Sequence, residues 1–106
     1  MSETFTYFDR LYQSQSIPSD GILSRTLTDN DSLKLVVFQF AAGQVLSEHT
    51  AAVPAVLQVL SGEATLTFGD EVREADAGAW AYMPARLPHS VLAKTELVLL
   101  LQMLKQ

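Results

Sequence analysis

An all-β barrel or sandwich is the fold class that this chain predicts, on three observations. From Gly21 onward, short apolar runs alternate with turn residues at close spacing, the pattern of many short antiparallel strands. Helical periodicity is weak throughout. The punctuation is of the hairpin kind: Asp29-Asn30-Asp31, Ser61-Gly62, Gly69-Asp70 and Asp76-Ala77-Gly78 supply residues that tolerate positive φ or close side-chain-to-backbone turns.

The strands follow in order. Residues 21–27 and 33–40 flank the first of these turns, and 44–49 and 56–60 lie on either side of a Pro-containing loop. Residues 64–68 and 71–74 form a hairpin about Gly69-Asp70; 79–83, 89–93 and 96–104 complete the set. Three of these runs, Leu35-Val36-Val37-Phe38-Gln39-Phe40, Val56-Leu57-Gln58-Val59-Leu60 and Leu97-Val98-Leu99-Leu100-Leu101, are apolar at consecutive positions, so both faces of those strands call for cover. A second subunit in a two-fold homodimer is the expected cover, with the N-terminal arm within one chain as the alternative. Residues 1–20, with Ser14, Ser16, Pro18 and Ser19 near their end, read as that arm, and 21–106 as a single barrel domain. Gln39, Gln58 and Gln102 each stand alone in an apolar run and are expected to find cross-strand or interface hydrogen bonds. Alternation turns Gln58 outward and leaves Ala55, Leu57 and Val59 facing in.

Composition narrows the function classes. Twelve acidic and seven basic residues give a formal charge of −5, with no basic patch to follow a phosphate backbone, so nucleic acid is not an expected partner. Cysteine is absent, which excludes disulfides, thiolate metal sites and cysteine nucleophiles. The longest apolar run, 97–101, is far short of the ~20 residues that span a bilayer, and Met1 to Arg10 lacks a signal-peptide pattern. No membrane association is expected, and the cytoplasm is the expected location. No GxSxG elbow, P-loop, dinucleotide fingerprint or HExxH occurs.

Two separated blocks carry a family resemblance. GQVLSEHTAAVPAVLQVLSG, residues 43–62, and GAWAYMPARLPHSVLA, residues 78–93, resemble the two motifs of the cupin superfamily. Gly43, His49 and Gly62 fall on the frame of the first, and Gly78, Pro84 and His89 on that of the second. The departures concern the metal ligands: Ala51 stands at the second His position and Ala55 at the Glu position, while Arg86 replaces a Gly and Ala93 an Asn. The phrases LSEHT, LQVLSGEATLT and MPARLPH are similar to small single-domain bacterial cupins. The resemblance implies a double-stranded β-helix, the jelly-roll barrel, covering the chain from about residue 21 to its end.

It also implies where function would sit. In metal-binding cupins two His and a Glu from the first motif and one His from the second hold Fe, Mn, Ni, Zn or Cu; this chain would keep His49 and His89 alone. Two imidazoles fall short of the three protein ligands of a catalytic site, so weak or partial binding of one divalent transition metal (Fe, Ni, Mn, Zn or Cu) is the most the motif supports. By alternation Ser47, His49 and Ala51 share a face and Glu48 points away from it. Trp80 and Tyr82 share one face of their strand and are candidate pocket walls, and Arg86 is a candidate guanidinium at the barrel mouth for a carboxylate ligand. With Ala at 51 and 55, a small and more apolar cavity is expected. Three functions stay open: binding of a small molecule in the barrel around His49 and His89; a metal-dependent oxygenase or isomerase; and a structural or interaction protein whose pocket has closed. No catalytic residue can be assigned from the sequence.

Overall fold

A computed structural model describes residues 4–13 and 20–105. Nine strands are present, β1 (Ile22–Asp29), β2 (Leu33–Phe40), β3 (Val45–His49), β4 (Ala55–Ser61), β5 (Glu63–Phe68), β6 (Glu71–Asp76), β7 (Trp80–Met83), β8 (His89–Ala93) and β9 (Leu97–Leu104), with no helix among the described residues. They form two antiparallel sheets, β1-β2-β9-β4-β7 and β3-β8-β5-β6. The all-β expectation and its nine strands hold, with ends moved by up to two residues. No helix is long and apolar enough to cross a membrane among the described residues.

The inner faces close on one core. Phe40, Leu57, Val59, Leu97 and Leu99 from the first sheet meet Ala64, Leu66, Val91 and Ala93 from the second, all nearly inaccessible to water. The register explains why both faces of β2, β4 and β9 are apolar. Phe38, Leu57 and Leu99 point inward, whereas Val37, Val56 and Leu100 point outward and are still buried. The arm supplies part of that outer cover: the Gln39 side-chain amide donates to the Gln13 carbonyl at 3.1 Å, and residues 8–12 lie beside Leu60 of β4. Within a single chain, then, Val37, Val56 and Leu100 are already buried, while Trp80 and Tyr82 on the same outer side stay exposed. Gln102 donates to Gln58 Oε1 at 3.4 Å on the same outer face, the cross-strand pairing expected of the lone amides.

The turns follow their residues. Asn30 closes the β1–β2 turn with its side-chain oxygen, which accepts the backbone N–H groups of Ser32 and Leu33. Gly62, at φ 91°, turns β4 into β5 directly against the β8–β9 turn, which is tied down by the Lys94 N–H on the Glu63 carbonyl and the Glu63 N–H on Thr95 Oγ1. A Cβ at Gly62 would stand 2.0 Å from the Glu96 carbonyl oxygen; at Gly43, φ 85°, it would meet nothing within 4 Å. Gly43 is therefore needed for its dihedral alone, and Gly62 for both dihedral and space. Gly43→Ala is expected to cost about 1 kcal/mol in urea unfolding and Gly62→Ala about 3 kcal/mol or more, since the latter must also move backbone; equal losses would contradict this contrast.

Candidate functional site

Strand β3 carries the first histidine into the barrel by interrupting its own alternation. Leu46 pairs with Val91 and lines the interior, so an unbroken strand would turn His49 outward. An extra residue between Leu46 and His49 shifts the register, and His49 pairs with His89 of β8 instead. A bulge re-aims a side chain in this way. Simple alternation therefore fails at this point, because Leu46 and His49 both face the interior. Glu48 is exposed and lines none of the described cavities.

The two imidazoles stand with ring centroids 4.2 Å apart and planes tilted by 59°. His49 Nδ1 donates to the Ser47 carbonyl at 2.9 Å and His89 Nδ1 to the Leu87 carbonyl at 2.8 Å. A carbonyl oxygen only accepts, so each Nδ1 carries a proton, and in the neutral form of either ring Nε2 is the atom with the lone pair. His89 is 5% exposed. Burial pushes its pKa below the ordinary 6.5, the hydrogen bond to Leu87 opposes that, and His49 lowers it further.

Carbonyl-anchored imidazoles have the orientation that metal ligands need. The remainder of such a site does not fit. Among the described residues no group of three or more His, Cys, Asp or Glu side chains is placed to hold a metal ion. The adjoining space, walled by Phe38, Leu57, Leu99 and Leu101, is about 20 Å³, room for one water or one ion and for no organic molecule. Ala55, at the Glu position of the motif, pairs with Met83 and Met103 on the inner face, and Met83 is buried. Met103 packs against the same core cluster as Ala55 and Met83. His49 and His89 are the residues that would touch an ion, through Nε2; a catalytic three-ligand set is not formed by the described residues.

Larger spaces lie elsewhere, one of about 570 Å³ between residues 8–12 and Leu60 and one at the open edge of the barrel. Between the edge strands β6 and β7 the barrel opens into a cleft of about 510 Å³, with Leu57, Leu66, Phe68, Ala75 and Ala81 as its floor and Glu71, Arg73, Glu74 and Trp80 at its rim. Leu57 is common to this cleft and to the space beside the histidines, so its side chain separates them.

The other expected site residues divide. Trp80 and Tyr82 pair with Gln58 and Val56, the outward residues of β4, and are 60% and 53% exposed on the outside of the sheet. They do not line the barrel interior: the register of β7 turns Ala81 and Met83 inward instead. Trp80 reaches the rim of the cleft, and Tyr82 lines none of the described cavities. Arg86 is exposed in the β7–β8 loop and lines none of them either. Its backbone matters more than its guanidinium. It holds φ at 68°, the left-handed conformation that the motif Gly would adopt at no cost, while its N–H donates to the Ala51 carbonyl at 2.7 Å.

Sequence reasoning missed Glu71 and Arg73. Both sit on the inward face of β6, opposite Phe68 and Leu66, while the apolar Val72 between them points outward and is 55% exposed. The visible signal was this apolar residue flanked by charges, which an amphipathic reading would place the other way round.

Residues 36–102 match the model of the cupin domain, and the chain belongs to that family. Its fold is shared by solved structures. A cupin superfamily protein from Desulfitobacterium hafniense is 25% identical, with a TM-score of 0.80 over 87% of this chain and 84% of that one. A conserved Streptococcus pyogenes protein of unknown function is 33% identical, with a TM-score of 0.77 over 86% and 80%. Salicylate 1,2-dioxygenase from Pseudoaminobacter salicylatoxidans, at 18% identity and a TM-score of 0.75, shares the fold over 81% of this chain and 28% of its own. No curated protein matches.

Two measurements test the loop and the histidines. Arg86→Gly is expected to stabilise the protein by about 0.5–1 kcal/mol in chemical denaturation, because relief of left-handed strain outweighs the added chain entropy of Gly. For His89, the unfolded chain takes up a proton near pH 6.5 and the folded one only at lower pH, so folding stability falls as pH drops below about 6.5. Urea midpoints between about pH 7.5 and 5.5 should show that slope in the parent and a flatter one in His89→Gln; parallel curves would contradict it.

Proposed function

We propose that this cupin binds a small organic molecule, which enters the barrel through the cleft between β6 and β7 rather than lodging between the histidines. The observation that carries the reading is the contrast in volume, about 510 Å³ at the cleft against about 20 Å³ beside His49 and His89. A mostly apolar concavity with a few polar groups at its edge is the usual form of a small-molecule site, and this one lies within the usual size range. The histidine pair is suited to a guest of one heavy atom: a water, or a weakly held divalent ion on the two Nε2 atoms. The metal-dependent oxygenase or isomerase reading has the two anchored imidazoles in its favour and the two-ligand donor set against it. Salicylate 1,2-dioxygenase supports the fold and, at 18% identity, carries no reaction over to this chain.

The test is a fragment screen by ligand-observed NMR, run beside elemental analysis of protein purified without chelator. Fragment binding is expected to be lost in Ala75→Phe, which fills the cleft, and kept in His89→Ala; metal content is expected to fall well below one per chain. Stoichiometric metal removed by either His49→Ala or His89→Ala would replace this reading with the metalloenzyme. A panel without any binder would favour the closed-pocket structural protein.

A further inference from the structure

The inward face of β6 carries two charged residues to the mouth of the cleft. Val72 faces out, whereas Glu71 and Arg73 stand beside Phe68 and Leu66 on the side that carries the core. The register places Arg73 at the rim of the cleft with its side chain still 62% exposed, so the guanidinium reaches the opening without losing its hydration.

The state of the guanidinium is informative. Arg73 uses Nη1 for the Glu71 carboxylate and the Val72 carbonyl, both at 3.0 Å. Among the described residues Nε and Nη2 have no partner, which leaves one edge of a planar fork shaped for a carboxylate. Glu74 is turned with Thr65 to the opposite face of β6, where it accepts from Thr65 Oγ1 and from Lys94 at 2.9 Å, so the Glu71–Arg73 pair is the charge that faces the cleft, and its one open fork edge has room for a single carboxylate. Arg73 also lies mid-strand over Leu66, whereas Glu71 lies at the Gly69-Asp70 turn, so the cation and not the carboxylate is central to the cleft.

Resting on the cleft reading above, we infer that the ligand is an apolar monocarboxylate, its carboxylate on the free edge of Arg73 and its apolar body over Leu66, Phe68 and Ala75. Trp80, the only tryptophan of the chain, stands at the rim and reports on occupancy through its fluorescence.

The experiment compares 3-phenylpropanoate, 3-phenylpropan-1-ol and 3-phenylpropylamine, probes with one apolar body and three head groups, by tryptophan fluorescence and calorimetry on the full chain. The carboxylate is expected to bind about fivefold more tightly than the alcohol, the scale of one solvent-exposed charge pair. Arg73→Gln should remove that difference while the alcohol's affinity stays within about twofold, and Glu71→Gln, which releases the rest of the fork, should widen it. Equal affinities for carboxylate and alcohol, or tightest binding of the amine, would overturn the assignment of Arg73 and leave the cleft as a binding site. Failure of all three probes to bind would overturn the cleft reading and this inference together.

Discussion

Leu57 is the side chain on which the arrangement of this barrel turns. It lies on the inner face of β4, pairs with Leu101 on one side and Ala81 on the other, and forms a wall of both interior spaces. Because interiors are packed to crystal-like density, a leucine there is a fixed partition rather than a mobile one. It bounds the atom-sized recess beside the imidazole pair, in which His89 is buried and His49 is exposed, and leaves the open cleft with an unbroken apolar floor. The histidines and the cleft are thus neighbours in the fold without sharing a volume.

The strands were legible because their signals are local. Apolar runs and the turns at Asn30, Gly62, Gly69 and Gly78 bracket nearly every one of them, and the outward placement of Gln58 followed from simple alternation. What the sequence hid was register between strands distant along the chain. Nothing in residues 80–83 says whether Trp80 or Ala81 will face Leu57; pairing with β4 decides it. Nothing in residues 45–49 announces the extra residue that sends both Leu46 and His49 inward. Val72 advertises itself as a core residue and is not one. Each miss is a slip of one position, and in a structure of period two a slip of one exchanges inside for outside.

The family frame has been kept in the backbone more faithfully than in the side chains. Gly43, Gly62 and Gly78 retain positive φ, and Arg86 adopts the same left-handed conformation although it has a Cβ to accommodate. That conformation aims the Arg86 N–H at the Ala51 carbonyl and joins the loop before β8 to the loop before β4. The shape of the motif therefore outlasts the ligands it serves in metal-binding members: Ala51 now contributes a carbonyl, and Ala55 a small surface against which methionines pack.

The position of β9 has a consequence for synthesis. The strand lies between β2 and β4 in the middle of the larger sheet, yet it comes last of the nine along the chain. As the polypeptide emerges from the ribosome, the β1–β2 hairpin and the β4–β7 pair are complete while still unjoined, each presenting an open edge and a row of valines and leucines. Such edges are templates for pairing with other chains. The larger sheet can close only when residues 97–104 arrive, so the interval before their release is when a nascent chain is most exposed to aggregation.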